Sequence, residues 1–81
     1  MSVEEIFKTI CELAAEQFGM EPEELSMNTS FEDDLGADSV DLVELIMSME
    51  DEFEIGEVDE SELANLKTVG DAVNFVAGKL K

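Results

Sequence analysis

Few residues in this 81-residue chain could do chemistry: the hydroxyl of Ser39 and the thiol of Cys11 stand out, and there is neither His nor Arg. Ser39 lies in the run Leu35-Gly36-Ala37-Asp38-Ser39-Val40-Asp41, where a glycine turn delivers a serine to the first position of an acidic-flanked amphipathic helix. Its hydroxyl should point outward, beside backbone amides that have no partner within the helix. A phosphate ester there would meet free N–H groups and the positive end of the helix dipole, a recurrent anion site. Position alone fits a second reading equally, in which Ser39 only starts a helix, since serine is favoured there. No His or Lys lies within the run, so a serine-hydrolase reading lacks its base. The usual general base and the usual phosphate clamp are both missing from the chain. Self-contained hydrolytic or phosphoryl-transfer chemistry is therefore not expected, and the chain is read as no enzyme. Cys11 sits beside an apolar stripe, between Phe7, Ala14 and Ala15 and next to Glu12. Such surroundings raise a thiol's pKa and make it a buried structural residue.

The elements that must position Ser39 follow from periodicity. Val3, Ile6, Phe7, Ile10, Ala14 and Phe18 fall on one face of a first helix, with Glu4, Glu5, Lys8, Glu12 and Glu16 opposite. Ser2 and Glu5 have the spacing of a capping box, and Gly19 is a natural stop. From Met20 to Ala37 the period lapses, and Pro22, Asn28, Thr29, Ser30 and Gly36 punctuate a long loop. Glu21 to Leu25 can make one helical turn, with Pro22 at its first position. Met20, Leu25, Met27, Phe31 and Leu35 are too many apolar residues for a solvated linker, so the loop is expected to lie ordered against the core. A second helix should run from about Asp38 to Phe53, capped by Asp38 with Asp41 in its first turn. Its buried stripe is Leu42, Leu45, Ile46, Met49 and Phe53, while Val40, Glu44, Met47 and Asp51 face away from it. Glu54 to Asn65 is weakly patterned, with Val58, Leu63 and Leu66 as anchors of a short helix. A last helix begins near Thr68, where Thr68 and Asp71 form a cap pair. It buries Val69, Ala72, Val73, Val76 and Leu80, and Lys79 and Lys81 stand at its negative end. No segment alternates as a strand would. The fold class is all-α: a small four-helix bundle of three main helices and one short one, with a long loop between the first and second.

Composition narrows the function classes. Four basic residues against 22 acidic leave a net charge of −18, with 44% apolar residues, which is a charged surface over a real core. Such a charge repels phosphate backbones and anionic lipid, so nucleic acid is excluded as a partner. No stretch approaches the roughly 18 apolar residues of a membrane span, so membrane insertion is excluded too. The length allows one domain, residues 1–81. A lone cysteine makes no internal disulfide, and the first ten residues show no leader, so a cytoplasmic monomer is expected. Asp33, Asp34, Asp38 and Asp41 do not have the ligand spacing of a calcium loop, and no specific metal site is expected.

The segment Leu35-Gly36-Ala37-Asp38-Ser39-Val40-Asp41-Leu42-Val43-Glu44 resembles the phosphopantetheine attachment motif of acyl carrier proteins, a G-x-D-S followed by an aliphatic residue, an acid and V-E. Phe31 to Leu35, Glu50 to Phe53 and Thr68 to Asp71 are also similar to that family's segments, so the resemblance covers essentially the whole chain. It implies a free-standing bacterial acyl carrier domain. By analogy with the family, Ser39 carries a covalent 4′-phosphopantetheine arm derived from coenzyme A, with Gly36 and Asp38 shaping the attachment site, and the arm's thiol holds acyl groups as thioesters. A separate phosphopantetheinyl transferase must attach it, because the chain lacks the means. Val40, Asp41, Glu44, Met47, Glu50 and Asp51 would form the face on which that transferase and acyl synthases and transferases dock with basic patches. The acyl chain would lie among Val43, Ile46, Met49, Leu63, Leu66 and Val69. Fatty acid biosynthesis is the expected pathway. The chain departs from the family at Leu42, where a small polar residue is frequent, and at Gly56-Glu57-Val58-Asp59, which lacks an I-P step and makes the loop one residue longer. Those departures keep a dedicated carrier for a specialised lipid or polyketide open. An acidic helical interaction module without a prosthetic group is the rival from a different class.

Overall fold

The computed structural model describes residues 2–80, with Glu60 by its backbone alone. Helix α1 spans Val3–Phe18, and a 3-10 turn covers Pro22–Glu24. Helix α2 spans Ser39–Phe53, α3 Glu60–Leu63 and α4 Val69–Lys79. Among the described residues no strand forms; Ser30 and Thr68 make a single antiparallel bridge. The four-helix architecture and the long ordered loop agree with the sequence reading. No helix among the described residues is long and apolar enough to cross a membrane.

Each main helix starts on a reciprocal cap. In α1 the Ser2 hydroxyl accepts from the Glu5 N–H at 3.2 Å, and the Ser2 N–H donates to Glu5 Oε1 at 3.0 Å. Those contacts, the backbone one first, hold the Glu5 carboxyl below its ordinary pKa. Gly19 ends the helix at φ 68°, the left-handed region in which a side chain would be strained. In α4 the Thr68 hydroxyl accepts from the Asp71 N–H, and Asp71 accepts from the Thr68 N–H, both at 3.1 Å.

Helix α1 is the centre of the bundle and packs against α4 and α2. Ile6, Ile10, Ala14 and Ala15 of α1, Val69, Ala72, Val73 and Val76 of α4, and Leu45, Ile46, Met49 and Phe53 of α2 make up most of the buried core. Fully burying each large aliphatic or aromatic side chain contributes about 1.5–3 kcal/mol. Three expected core residues are outside it: Val3, Met27 and Leu80 are 51%, 38% and 40% exposed. Val3 and Leu80 stand at the outermost turns of α1 and α4, where the right face of a helix no longer has a neighbour opposite. Lys79 is at the end of α4 as expected. Lys81, given the same role, lies outside the described residues.

The 20–37 loop is tied to α4 through its backbone. The Phe31 N–H donates to the Lys67 carbonyl at 2.9 Å, the Val69 N–H to Thr29 at 2.9 Å, and the Gly70 N–H to Met27 at 2.8 Å. The last contact brings the chains so close that a Cβ on Gly70 would lie 2.8 Å from the Met27 carbonyl oxygen. Met27 thus serves the fold through its backbone rather than its side chain. Phe31, only 1% exposed, is the loop's main apolar anchor, and Leu25 is buried in the core as well.

Candidate functional site

The approach to Ser39 is built from the loop. Ser30 folds the segment after it: its N–H donates to Asp34 Oδ2 at 2.7 Å, and its hydroxyl accepts from the Asp33 N–H at 3.0 Å. The Ala37 N–H then donates to the Phe31 carbonyl at 2.8 Å, and Ala37 is buried. Between these fixed points Gly36 takes φ 65°, a conformation that favours glycine. The reversal at Gly36 turns the chain out of the core and into α2, so Ser39 emerges at the first helical position with its side chain exposed.

The start of α2 is already partly neutralised. Asp38 Oδ1 accepts from the Asp41 N–H at 2.9 Å, and Asp41 Oδ2 accepts from the Asp38 N–H at 3.2 Å. Two of the four amides expected to be open to an anion are therefore occupied by carboxylates. Among the described residues, no acceptor is recorded for the other two, the Ser39 and Val40 N–H groups. A free anion would meet two carboxylates at this helix end, whereas a phosphate fixed covalently to Ser39 has the two remaining donors beside it. Across the bundle Gln17 Nε2 donates to the Asp41 carbonyl at 2.7 Å, tying the first turn of α2 to the last turn of α1.

Among the described residues, no basic side chain is hydrogen-bonded to the Ser39 hydroxyl, and the side chains bonded at this helix start are the acidic Asp38 and Asp41. The other nucleophile candidate is inert for a different reason: Cys11 is 3% exposed, and burial, then the neighbouring Glu12 carboxylate, push its thiol pKa up. Among the described residues no three His, Cys, Asp or Glu side chains come together to hold a metal ion.

Ser39 stands on the rim of a cleft of about 520 Å³ walled by Ala37, Leu42, Val43, Leu63 and Ala64. Val43 and Leu63 also wall a second cleft, of about 540 Å³, that runs on to Ile46 and Val58. Leu42 and Leu63 wall a third, of about 340 Å³, that reaches Phe31 and Leu66. The three clefts share walls, with Leu63 on all of them, and together form a mainly apolar grooved surface between α2 and α3, the first cleft lying at Ser39. Of the six residues expected around an acyl chain, the structure places Val43, Ile46, Leu63 and Leu66 on the groove. Met49 and Val69, both 0% exposed, line none of these clefts. They belong to the packed core instead. Ala64 is a groove wall that sequence reasoning missed, while Leu42 and Val58, the sites of departure from the family pattern, line the groove as well. Periodicity does not distinguish a residue facing a gap from one facing another side chain.

The outer face of α2 is as expected in its apolar members, with Val40 and Met47 63% and 61% exposed. Glu44 and Asp51 are exposed beside them. Asp41 and Glu50 are not free rim charges. The first is half-buried in the helix cap, and the second is half-buried with its carboxylate on the Val58 N–H at 2.6 Å.

Comparison with known proteins gives a consistent picture. Residues 8–76 match the family described as phosphopantetheine attachment site. The chain is 45% identical over 76 residues to the acyl carrier protein of Exiguobacterium sibiricum, covering 94% of this chain and 95% of that one. It is 47% identical over 76 residues to that of Lactobacillus acidophilus, covering 94% of each. Among solved structures it superposes on the acyl carrier protein from Enterococcus faecalis with a TM-score of 0.80 at 28% identity, covering 98% and 99% of the two chains.

Proposed function

The chain belongs to the acyl carrier protein family, and on that premise we propose that Ser39 is the residue that bears the 4′-phosphopantetheine arm of residues 1–81 acting as one carrier domain. The family's members carry acyl groups for acyl-handling enzymes and are not enzymes themselves, in keeping with a chain that holds no His and no Arg. The observation that carries the assignment of Ser39 is its placement: an exposed hydroxyl at the first position of α2, with two unengaged amides beside it, on the rim of an apolar groove. The residues present fit the arm. When attached, the arm supplies a thiol that forms thioesters, so the protein contributes position, shelter and recognition. Gly36 and Ala37 aim Ser39 outward, and Asp38 holds the helix start rigid through its cap.

Val43, Ile46, Leu63 and Leu66 shelter part of the acyl chain, each buried methylene contributing about 0.8 kcal/mol. Val40 and Met47 form the apolar centre of the docking face, with Glu44 and Asp51 as steering charges at its edge. Partners with basic patches follow from the net charge of −18: phosphopantetheinyl transferase, and acyl synthases and transferases. The pathway proposed is fatty acid biosynthesis, in the cytoplasm. A specialised acyl pathway is favoured by one feature, the bulk of Leu42 at the groove mouth, and the acyl species recovered from cells would decide between the two.

The test of the attachment site is direct. Incubation with coenzyme A and a broad-specificity phosphopantetheinyl transferase should add one phosphopantetheinyl mass to the wild-type chain and none to Ser39→Ala. Modification of Ser39→Ala, or none of the wild type, would overturn the assignment.

A further inference from the structure

Helix α3 is the least anchored element of the bundle. It has four residues and no side-chain hydrogen bond at its N-cap, Asp59. Its Glu62 meets Lys79 of α4 at 3.6 Å, but the two side chains are 35% and 39% exposed, and such a surface pair holds little. The segment 54–59 that leads to it turns through two left-handed residues, Glu54 at φ 52° and Gly56 at φ 80°. Among the described residues, the hydrogen bond that ties this segment to a side chain of α2 is the one from the Val58 N–H to Glu50 Oε2, at 2.6 Å. It is short because the acceptor is a carboxylate, and charge-assisted bonds are about twice as strong as neutral ones.

The position of that bond matters more than its strength. Glu50 and Val58 both line the second cleft, whose other walls include Val43, Ile46 and Leu63. Val43 and Leu63 also wall the neighbouring cleft at Ser39. Glu50 is eleven residues beyond Ser39 on α2, about 16 Å along the axis. The bond thus stands at the end of the groove remote from Ser39, and holds Val58 across it. We infer that Glu50 is a positioning residue, a latch whose grip on the Val58 N–H fixes the depth of the groove and so the length of acyl chain sheltered before the 54–59 segment must yield. This deepens the reading of the groove as the acyl site and rests on it. A cargo short of the latch leaves the bond intact; a longer one gains further shelter only by breaking it.

The experiment uses the holo protein loaded with straight acyl chains of increasing length, in wild type, Glu50→Ala and Glu50→Gln. Thermal midpoint relative to the unacylated holo form and hydrogen exchange of the Val58 amide are recorded for each. In the wild type the midpoint should climb with chain length and level off, and at that length the Val58 amide should begin to exchange about tenfold faster, the loss of one charge-assisted bond. In Glu50→Ala the climb should continue to longer chains, with Val58 exchanging fast at every length. Glu50→Gln keeps an acceptor oxygen and should restore the wild-type levelling. A levelling point that is the same in wild type and Glu50→Ala overturns the latch, as does Val58 exchange in the wild type that ignores chain length. Those results leave the carrier reading standing, whereas a wild-type protein that cannot be loaded at Ser39 overturns that reading itself.

Discussion

Replacing Gly70 by alanine sets two effects of opposite sign against each other. Gly70 lies in the first turn of α4, and in a helix alanine is more favourable than glycine by about 1 kcal/mol. A sequence argument alone would predict stabilisation. The structure reverses the sign, because the added Cβ would stand 2.8 Å from the Met27 carbonyl oxygen. That obstacle is backbone, and it cannot swing aside as a long side chain would. The 20–37 loop must move away from α4, weakening the Gly70 to Met27 bond of 2.8 Å and straining the Val69 to Thr29 bond beside it. Overpacking costs about 1–3 kcal/mol and a weakened hydrogen bond about 0.5–1.5 kcal/mol. Set against the propensity gain, the net is a loss of about 1–3 kcal/mol, or a fall in Tm of roughly 4–8 °C for each kcal/mol in a domain of this size. Urea and thermal unfolding followed by circular dichroism measure it. The same loop delivers Ser39, so the variant should also be modified more slowly by phosphopantetheinyl transferase at temperatures where it is still folded. A Gly70→Ala protein as stable as the wild type, or more so, would refute the close approach of Met27 to α4.

Val40→Ala and Met47→Ala remove exposed apolar side chains, so each should change stability by less than about 0.5 kcal/mol. If that face is the docking surface, kcat/KM with the transferase should fall severalfold in each, corresponding to about 1 kcal/mol or more, while unchanged kinetics would remove those residues from the interface. Magnesium at millimolar levels should raise Tm by relieving the repulsion behind the net charge of −18; an unchanged or lower Tm would count against that. Cys11 has its folded pKa raised, so the folded state keeps the thiol proton that the unfolded state gives up first. Its contribution is therefore present below the thiol's ordinary pKa and lost as pH rises through the folded value. Cys11→Ala, compared with the wild type across that alkaline range, should show a flatter decline in stability.

The local features of this protein were legible in its sequence. Ser2 with Glu5, Asp38 with Asp41 and Thr68 with Asp71 are partners three residues apart, and three residues of helix suffice to bring such groups together. The left-handed stop at Gly19, the outward direction of Ser39 and the exposure of Val40 and Met47 follow from the same short-range geometry. Even the burial of Phe31 and Leu25 could be anticipated, since a loop so rich in apolar residues must rest on something. What only the tertiary structure decided are contacts between residues far apart along the chain. Gln17 on the Asp41 carbonyl, Met27 against Gly70 and Glu50 on the Val58 N–H each require two segments to meet in one register. The division of α2's apolar residues between core and groove has the same origin. Leu42 and Val43 line the cleft beside α3, while Met49 is fully buried in the core. Periodicity states which way a side chain points; whether it finds a partner or a gap depends on where the other helices come to rest.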